Sequence, residues 1–247
     1  MITSVNLAVI DEAHYVSEWG HSFRTSYLGL GTVLRKWCSN SQGTAPPLAA
    51  LTGTASRAVL KDTLFQLKMD TSLPNSIITP WSFDRPELSF SIINTPVEAS
   101  SAALSGQLQG LPNRFSGSNP ATFFQPSGDL NTNSGLVFVP TVNGRPGVAD
   151  TRDLVREATG TDIGVFSGQP PRQYYRGGDR GIAWESEKAH YALQWKNNEL
   201  TALVATSAFG VGIDKPNVRW VIHYGIPSSM EAYYQEAGRS GRDGKHS

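Results

Sequence analysis

Val5-Asn6-Leu7-Ala8-Val9-Ile10-Asp11-Glu12-Ala13-His14 decides the fold. A short, mostly apolar run closes on two adjacent acids. That pattern reads as a buried strand with the acids at its C-terminal end. Two neighbouring carboxylates in that place suit magnesium–nucleotide chemistry. Asp11 can hold Mg²⁺ through water, and Glu12 can orient or deprotonate an attacking water. A solvated turn after a strand could carry the same residues, so the surrounding sequence has to decide.

Downstream, Leu48–Leu51 is a second apolar run, followed by Thr52-Gly53-Thr54-Ala55-Ser56. Ala58–Leu67 is spaced as a helix, with Ala58, Leu60, Leu64 and Leu67 on one broad face. Ile77-Ile78 and Leu88–Ile93 read as further short strands. Residues 1–95 thus alternate strands and helices, as α/β layers do. Between 96 and 134, Ser, Gly, Pro, Asn and Gln dominate, which predicts a polar linker or insertion. From 135 to 247 the alternation returns. Strands are expected at Gly135–Val139, Ile163–Phe166, Ala202–Ala205 and Val218–His223, and helices at Val148–Ala158, Glu187–Lys196 and Ser229–Ala237. Such alternation implies parallel sheets covered on both faces.

Composition narrows the function classes. The 21 basic and 21 acidic residues cancel, so any nucleic-acid contact must come from local patches. A single cysteine, Cys38, excludes a disulfide framework and a multi-cysteine zinc site within these residues. No run of about 18 apolar residues occurs, and no signal peptide is expected. An intracellular protein, neither secreted nor membrane-bound, is expected.

Four further segments carry chemistry. Tyr15-Val16-Ser17-Glu18-Trp19-Gly20-His21-Ser22-Phe23-Arg24 is dense in rings and cations, which can stack on unpaired bases and contact phosphate, or simply fill core. In Thr52–Ser56, the threonines suit a hydrogen-bond relay and Ser56 suits a helix cap. Ala205–Pro216 places Gly210, Gly212 and Asp214 where backbone must approach closely and an acid could meet ribose or an arginine. Tyr233–Gly244 presents Arg239 and Arg242 among glycines. These rigid forks could stabilise charge on a transferred phosphoryl group, or could form an exposed basic turn.

Taken in order, these segments together with Ser82-Phe83-Asp84-Arg85-Pro86 resemble the superfamily 2 helicases, and within them the RecQ family. The resemblance covers about 1–94 and 135–244. It implies two RecA-like parallel-sheet domains with ATP bound between them. Residues 1–95 would be the C-terminal part of a first, incomplete domain, 96–134 the linker, and 135–247 the second domain. It also implies ATP-dependent 3′-to-5′ unwinding, with ATP and Mg²⁺ as cofactors and single-stranded and partly duplex DNA as partner. Asp11 and Glu12 would serve Mg²⁺ and water activation. His14, Trp19, His21, Phe23 and Arg24 would couple DNA contact to hydrolysis, with Thr52 and Thr54 relaying between the two. Gly212 and Asp214 would line the ATP site from the second domain. Gln235, Arg239 and Arg242 would face the phosphates, Arg242 as the arginine finger.

The sequence departs from the family at Ser22, Phe138-Val139-Pro140, Phe166-Ser167-Gly168 and Gly225, which bears on DNA contacts. It also contains no Gly-x-x-x-x-Gly-Lys-Ser/Thr phosphate loop. A fragment that needs an upstream helicase half is therefore expected, inactive alone. A non-catalytic remnant or nucleic-acid-binding module is the alternative. An RNA helicase of the Asp-Glu-Ala-His type fits Trp19–Arg24 and Ser82–Pro86 less well.

Overall fold

A computed structural model describes residues 5–17, 27, 29–53, 55–79, 82, 84–174, 180–210 and 214–247. The chain divides into two compact units, Met1–Phe83 and Asp84–Ser247. Both are α/β with parallel sheets, as the sequence predicts.

In the first unit, β1 (Ala8–Ile10) and β2 (Leu48–Ala50) pair in parallel, with Ala8 opposite Leu48 and Ile10 opposite Ala50. Two helices accompany them, α1 (Leu30–Trp37) and α2 (Arg57–Gln66). Ser56 caps α2 as expected, its side chain accepting from the Val59 amide at 3.3 Å. Arg35 of α1 closes the other end of α2. Its guanidinium donates to the Leu67 and Lys68 carbonyls at 2.7 and 2.6 Å, a cation where the helix leaves carbonyls free. Ala13, Val16 and Leu67 form the small core, with Ile10, Leu48 and Ala50 packed on it. The strand expected at Ile77-Ile78 is absent, and Ile78 is exposed.

The second unit holds a four-stranded parallel sheet in the order β4-β5-β3-β6. Its strands are β3 (Ser134–Phe138), β4 (Ile163–Phe166), β5 (Ala202–Ala205) and β6 (Val218–His223). Helices α3 (Ser100–Gly110), α4 (Val148–Thr159), α5 (Arg180–Lys196) and α6 (Met230–Ala237) surround it in sequence. Every residue of β3 and β5 is buried, as central parallel strands covered on both faces require. Gly135 is fixed by packing. A Cβ there would lie 1.9 Å from the Trp220 ring on the neighbouring strand.

Residues 96–134 differ from the linker expectation. They fold as part of the second unit, with α3 followed by a 3-10 turn over Leu111–Arg114. The cause is spacing rather than composition. Leu104, Leu108 and Leu111 recur at helical intervals, and together with Phe123 and Phe124 they are buried in the same core as Val137, Val155 and Trp220. The unit boundary accordingly falls at 83/84 rather than near 95. Leu88–Ile93 is likewise no regular strand. The backbone there meets the C-terminal residue: the Ser247 amide donates to the Glu87 carbonyl at 2.9 Å, and the Ser247 carbonyl accepts from the Ser89 amide at 2.8 Å.

Candidate functional site

Strand register assembles the candidate site of the first unit. Because Ile10 lies opposite Ala50, β1 and β2 end level. The Leu51 amide then donates to the Ile10 carbonyl, and the Ala13 amide to the Leu51 carbonyl, both at 2.8 Å. The acidic motif and Thr52 therefore leave the sheet side by side. Asp11 and Glu12 are exposed, while His14 is fully buried. His14 Nδ1 lies 2.8 Å from the Thr52 hydroxyl and 3.3 Å from Glu12 Oε2. One imidazole thus links the second acid of the motif to the threonine expected to relay.

Glu12 occupies the left-handed region, with φ 48°. A non-glycine residue held there costs about 1–3 kcal/mol, a strain found mostly at functional positions. The Asp11 side chain helps hold the turn by accepting from the Glu12 amide at 2.9 Å. From α2, the Thr63 hydroxyl reaches the Ala13 carbonyl at 3.5 Å. An exposed carboxylate beside a second one fits Mg²⁺ held through water and phosphate oxygens. It does not fit an all-protein cage, and no group of three or more metal-binding side chains occurs among the described residues.

In the second unit the arginine-bearing loop, 238–244, follows α6. Ser229 caps that helix by accepting from the Ala232 amide at 3.0 Å. Arg239 is buried and Arg242 is exposed, so Arg242 is the guanidinium presented to solvent. Its Nη1 donates to Asp214 Oδ1 at 2.8 Å, which joins two residues expected to meet nucleotide. Gln235 is half-buried on α6. Trp19, His21, Phe23, Arg24, Thr54 and Gly212 lie outside the described residues.

Several supports escaped the sequence reading. Arg219 of β6 donates to Asp243 Oδ1 at 2.5 Å and to the Pro216 and His246 carbonyls. Burial pushes the Asp243 carboxyl up, but the Arg219 hydrogen bond and the Lys245 amide outweigh it and hold it below the usual range. His223 Nε2 meets Glu236 Oε2 at 2.9 Å, joining β6 to α6. Lys215, next to Asp214, is buried, and its ammonium donates to Asn198 Oδ1 at 2.5 Å and the Lys196 carbonyl at 3.3 Å. Desolvation pulls it down to about 8. The signal available for these was position: Arg219 alternates with apolar neighbours on a strand, and Lys215 directly follows an expected site residue.

Residues 130–244 match the model of the helicase conserved C-terminal domain. Over 98% of its length the chain is 35% identical to ATP-dependent helicase wrn-1 of Caenorhabditis elegans, covering 19% of that protein. It is 33% identical over 97% of its length to ATP-dependent DNA helicase RecQ of Bacillus subtilis, covering 33% of it. The chain therefore spans well under half the length of these relatives. In structure it is similar to Saccharomyces cerevisiae Dbp5 bound to RNA and ADP BeF3, with a TM-score of 0.61 and 16% identity over the whole chain and 53% of the other. At that identity the likeness concerns the fold.

Proposed function

From the premise that this chain belongs by sequence to the RecQ helicase family, we propose that it supplies part of the motor of an ATP-dependent, 3′-to-5′ DNA helicase. Residues 1–83 carry the acids that act on water and Mg²⁺, and 84–247 form the second RecA-like domain. The phosphate-binding loop would come from sequence outside these 247 residues. The observation that carries the reading is the chain of contacts Glu12–His14–Thr52, which ties the hydrolytic acid to the relay threonine.

In this mechanism Glu12 orients the attacking water and takes its proton. Asp11 would hold Mg²⁺, which would supply neutralisation of phosphate charge there. Arg242 leaves Asp214 to meet the charge that develops on the transferred group. Unpaired DNA on Trp19, Phe23 and Arg24 would bias His14, and through it Glu12. His21 and Thr54 belong to that same coupling path. Gly212, Asp214, Gln235 and Arg239 bind nucleotide.

The test is hydrolysis by the 247-residue chain alone and by the same chain joined behind a helicase half that carries a Gly-x-x-x-x-Gly-Lys-Ser/Thr loop. Alone it should turn over ATP no faster than buffer, because the positioning of phosphates supplies most of this catalysis. Joined, it should hydrolyse ATP in response to single-stranded DNA and unwind 3′ to 5′. A joined protein that hydrolyses nothing favours the second reading, a non-catalytic nucleic-acid-binding module. The absence of a phosphate loop from the sequence keeps that reading in play.

A further inference from the structure

Arg85 sits in Ser82-Phe83-Asp84-Arg85-Pro86, a segment that carries the family resemblance but no assigned task. Its Nη2 donates to the Ser240 carbonyl at 2.8 Å, across 155 residues of sequence. Its Nε is bound by Glu87 Oε1, which orients the guanidinium. The Ser240 carbonyl belongs to the peptide that leads into Gly241-Arg242. Gly241 has φ +65°, and a Cβ there would lie 2.8 Å from Glu87 Cγ and 3.1 Å from Leu88 Cδ2. The segment that begins at Arg85 therefore lies directly against the peptide before Arg242, at a place whose backbone and close contacts favour glycine.

The opposite side of the loop is tied as well. The Gly241 amide donates to the Val218 carbonyl at 3.1 Å, and Arg219 grips Asp243. Arg242 is thus an exposed side chain on a peptide fixed immediately before and after it. A group that acts on transition-state charge gains from being held in place before the reaction, because the cost of ordering it is met in folding.

We propose that Arg85 is a positioning residue for phosphoryl transfer, fixing the Ser240 carbonyl so that Arg242 is presented from a rigid loop. This rests on the reading of Arg242 as the arginine finger. Arg85 belongs in fold to the unit that carries the finger, although it lies next in sequence to the unit that carries the acids.

The test begins on the 247-residue chain, labelled with ¹⁵N, as wild type, Arg85→Met and Arg85→Lys. Amide exchange at Gly241 and Gly244 and the Arg242 Nε signal are followed. Arg85→Met should speed exchange at both glycines about tenfold, the loss of one charged hydrogen bond to the loop. The Arg242 signal should move toward that of a free arginine. The amides of β3 and β5 should keep their rates. Arg85→Lys should restore most of the protection, since an ammonium still reaches the carbonyl. In the joined protein described above, Arg85→Met should lower kcat with KM held, and Arg85→Lys should recover it.

Unchanged glycine exchange overturns the assignment. So does faster exchange spread over β3 and β5, which marks a general loss of fold. If Arg85→Met loosens the loop while Arg242→Ala leaves hydrolysis intact, the finger reading has failed, and the catalytic half of this proposal falls with it.

Discussion

Arg242 and Asp214 form a hydrogen-bonded ion pair, Nη1 to Oδ1 at 2.8 Å, with the carboxylate side chain 83% exposed. An exposed pair of this kind contributes roughly 0–1 kcal/mol, so a phosphate can displace the carboxylate at little cost. In the joined protein, Arg242→Ala should lower hydrolysis by about 10³–10⁵ while single-stranded DNA affinity stays near wild type. Affinity lost with turnover kept would assign Arg242 to DNA instead.

The contact between buried His14 and the Thr52 hydroxyl makes its own prediction. Thr52→Val keeps the shape of the side chain and removes the 2.8 Å hydrogen bond. It should destabilise the first unit by about 1 kcal/mol in chemical denaturation. In the joined protein it should reduce stimulation by DNA more than basal hydrolysis. Basal and stimulated rates falling by the same factor would count against a relay.

Trp19 and Phe23 follow the acids closely in sequence. Trp19→Ala and Phe23→Ala should leave melting and basal hydrolysis near normal and abolish stimulation by single-stranded DNA, because coupling requires contacts that differ between bound and free states. If both rings instead fill core, truncation should cost about 3–5 kcal/mol and depress the melting temperature. Stimulation would then survive in whatever remains folded.

Lys215 predicts a pH dependence. Burial lowers its ammonium from the ordinary 10.5 to about 8 in the folded chain. Between those values the unfolded chain binds more protons, so stability should rise as pH climbs from about 8 toward 10.5. Below about 8 the folded state must carry a buried charge, held by the neutral acceptors Asn198 and the Lys196 carbonyl. Urea denaturation of wild type against Lys215→Met measures it. The variant should lack this part of the slope, and identical slopes would contradict the assignment.

The sequence showed the elements whose signal is local. Ile163–Phe166, Ala202–Ala205 and Val218–His223 stand as strands where short, mostly apolar runs predict them. α3 was hidden because averaging over Ser, Gly and Gln masks Leu104 and Leu108 at helical spacing, with Leu111 just beyond. Leu88–Ile93 misled in the opposite way. Its alternation is that of a strand, but Phe90 is exposed and Ile92 almost fully so. Among the residues expected to act, residue types alone pointed to Asp11, Glu12, Thr52 and the pair Arg239 and Arg242, and the choice of Arg242 came from the family resemblance. Their partners depend on strand register and long-range closure, which local pattern does not carry. Buried charges such as Lys215 and Arg219 are harder still, since charged side chains ordinarily signal surface.

The level ends of β1 and β2 have a consequence for how this site can change over evolutionary time. His14 finds Thr52 through the pairing of Ile10 with Ala50, not through the length of chain between them. The connection from α1 to β2 is irregular and mostly exposed across 39–44. Insertions there would extend a surface loop at a cost that grows only slowly with its length. Slipping one strand by a single residue would instead move Thr52 by about 3.3 Å and turn it to the opposite face. Descendants of this sequence are free to lengthen the route between the two motifs, but not to re-register the two strands that present them.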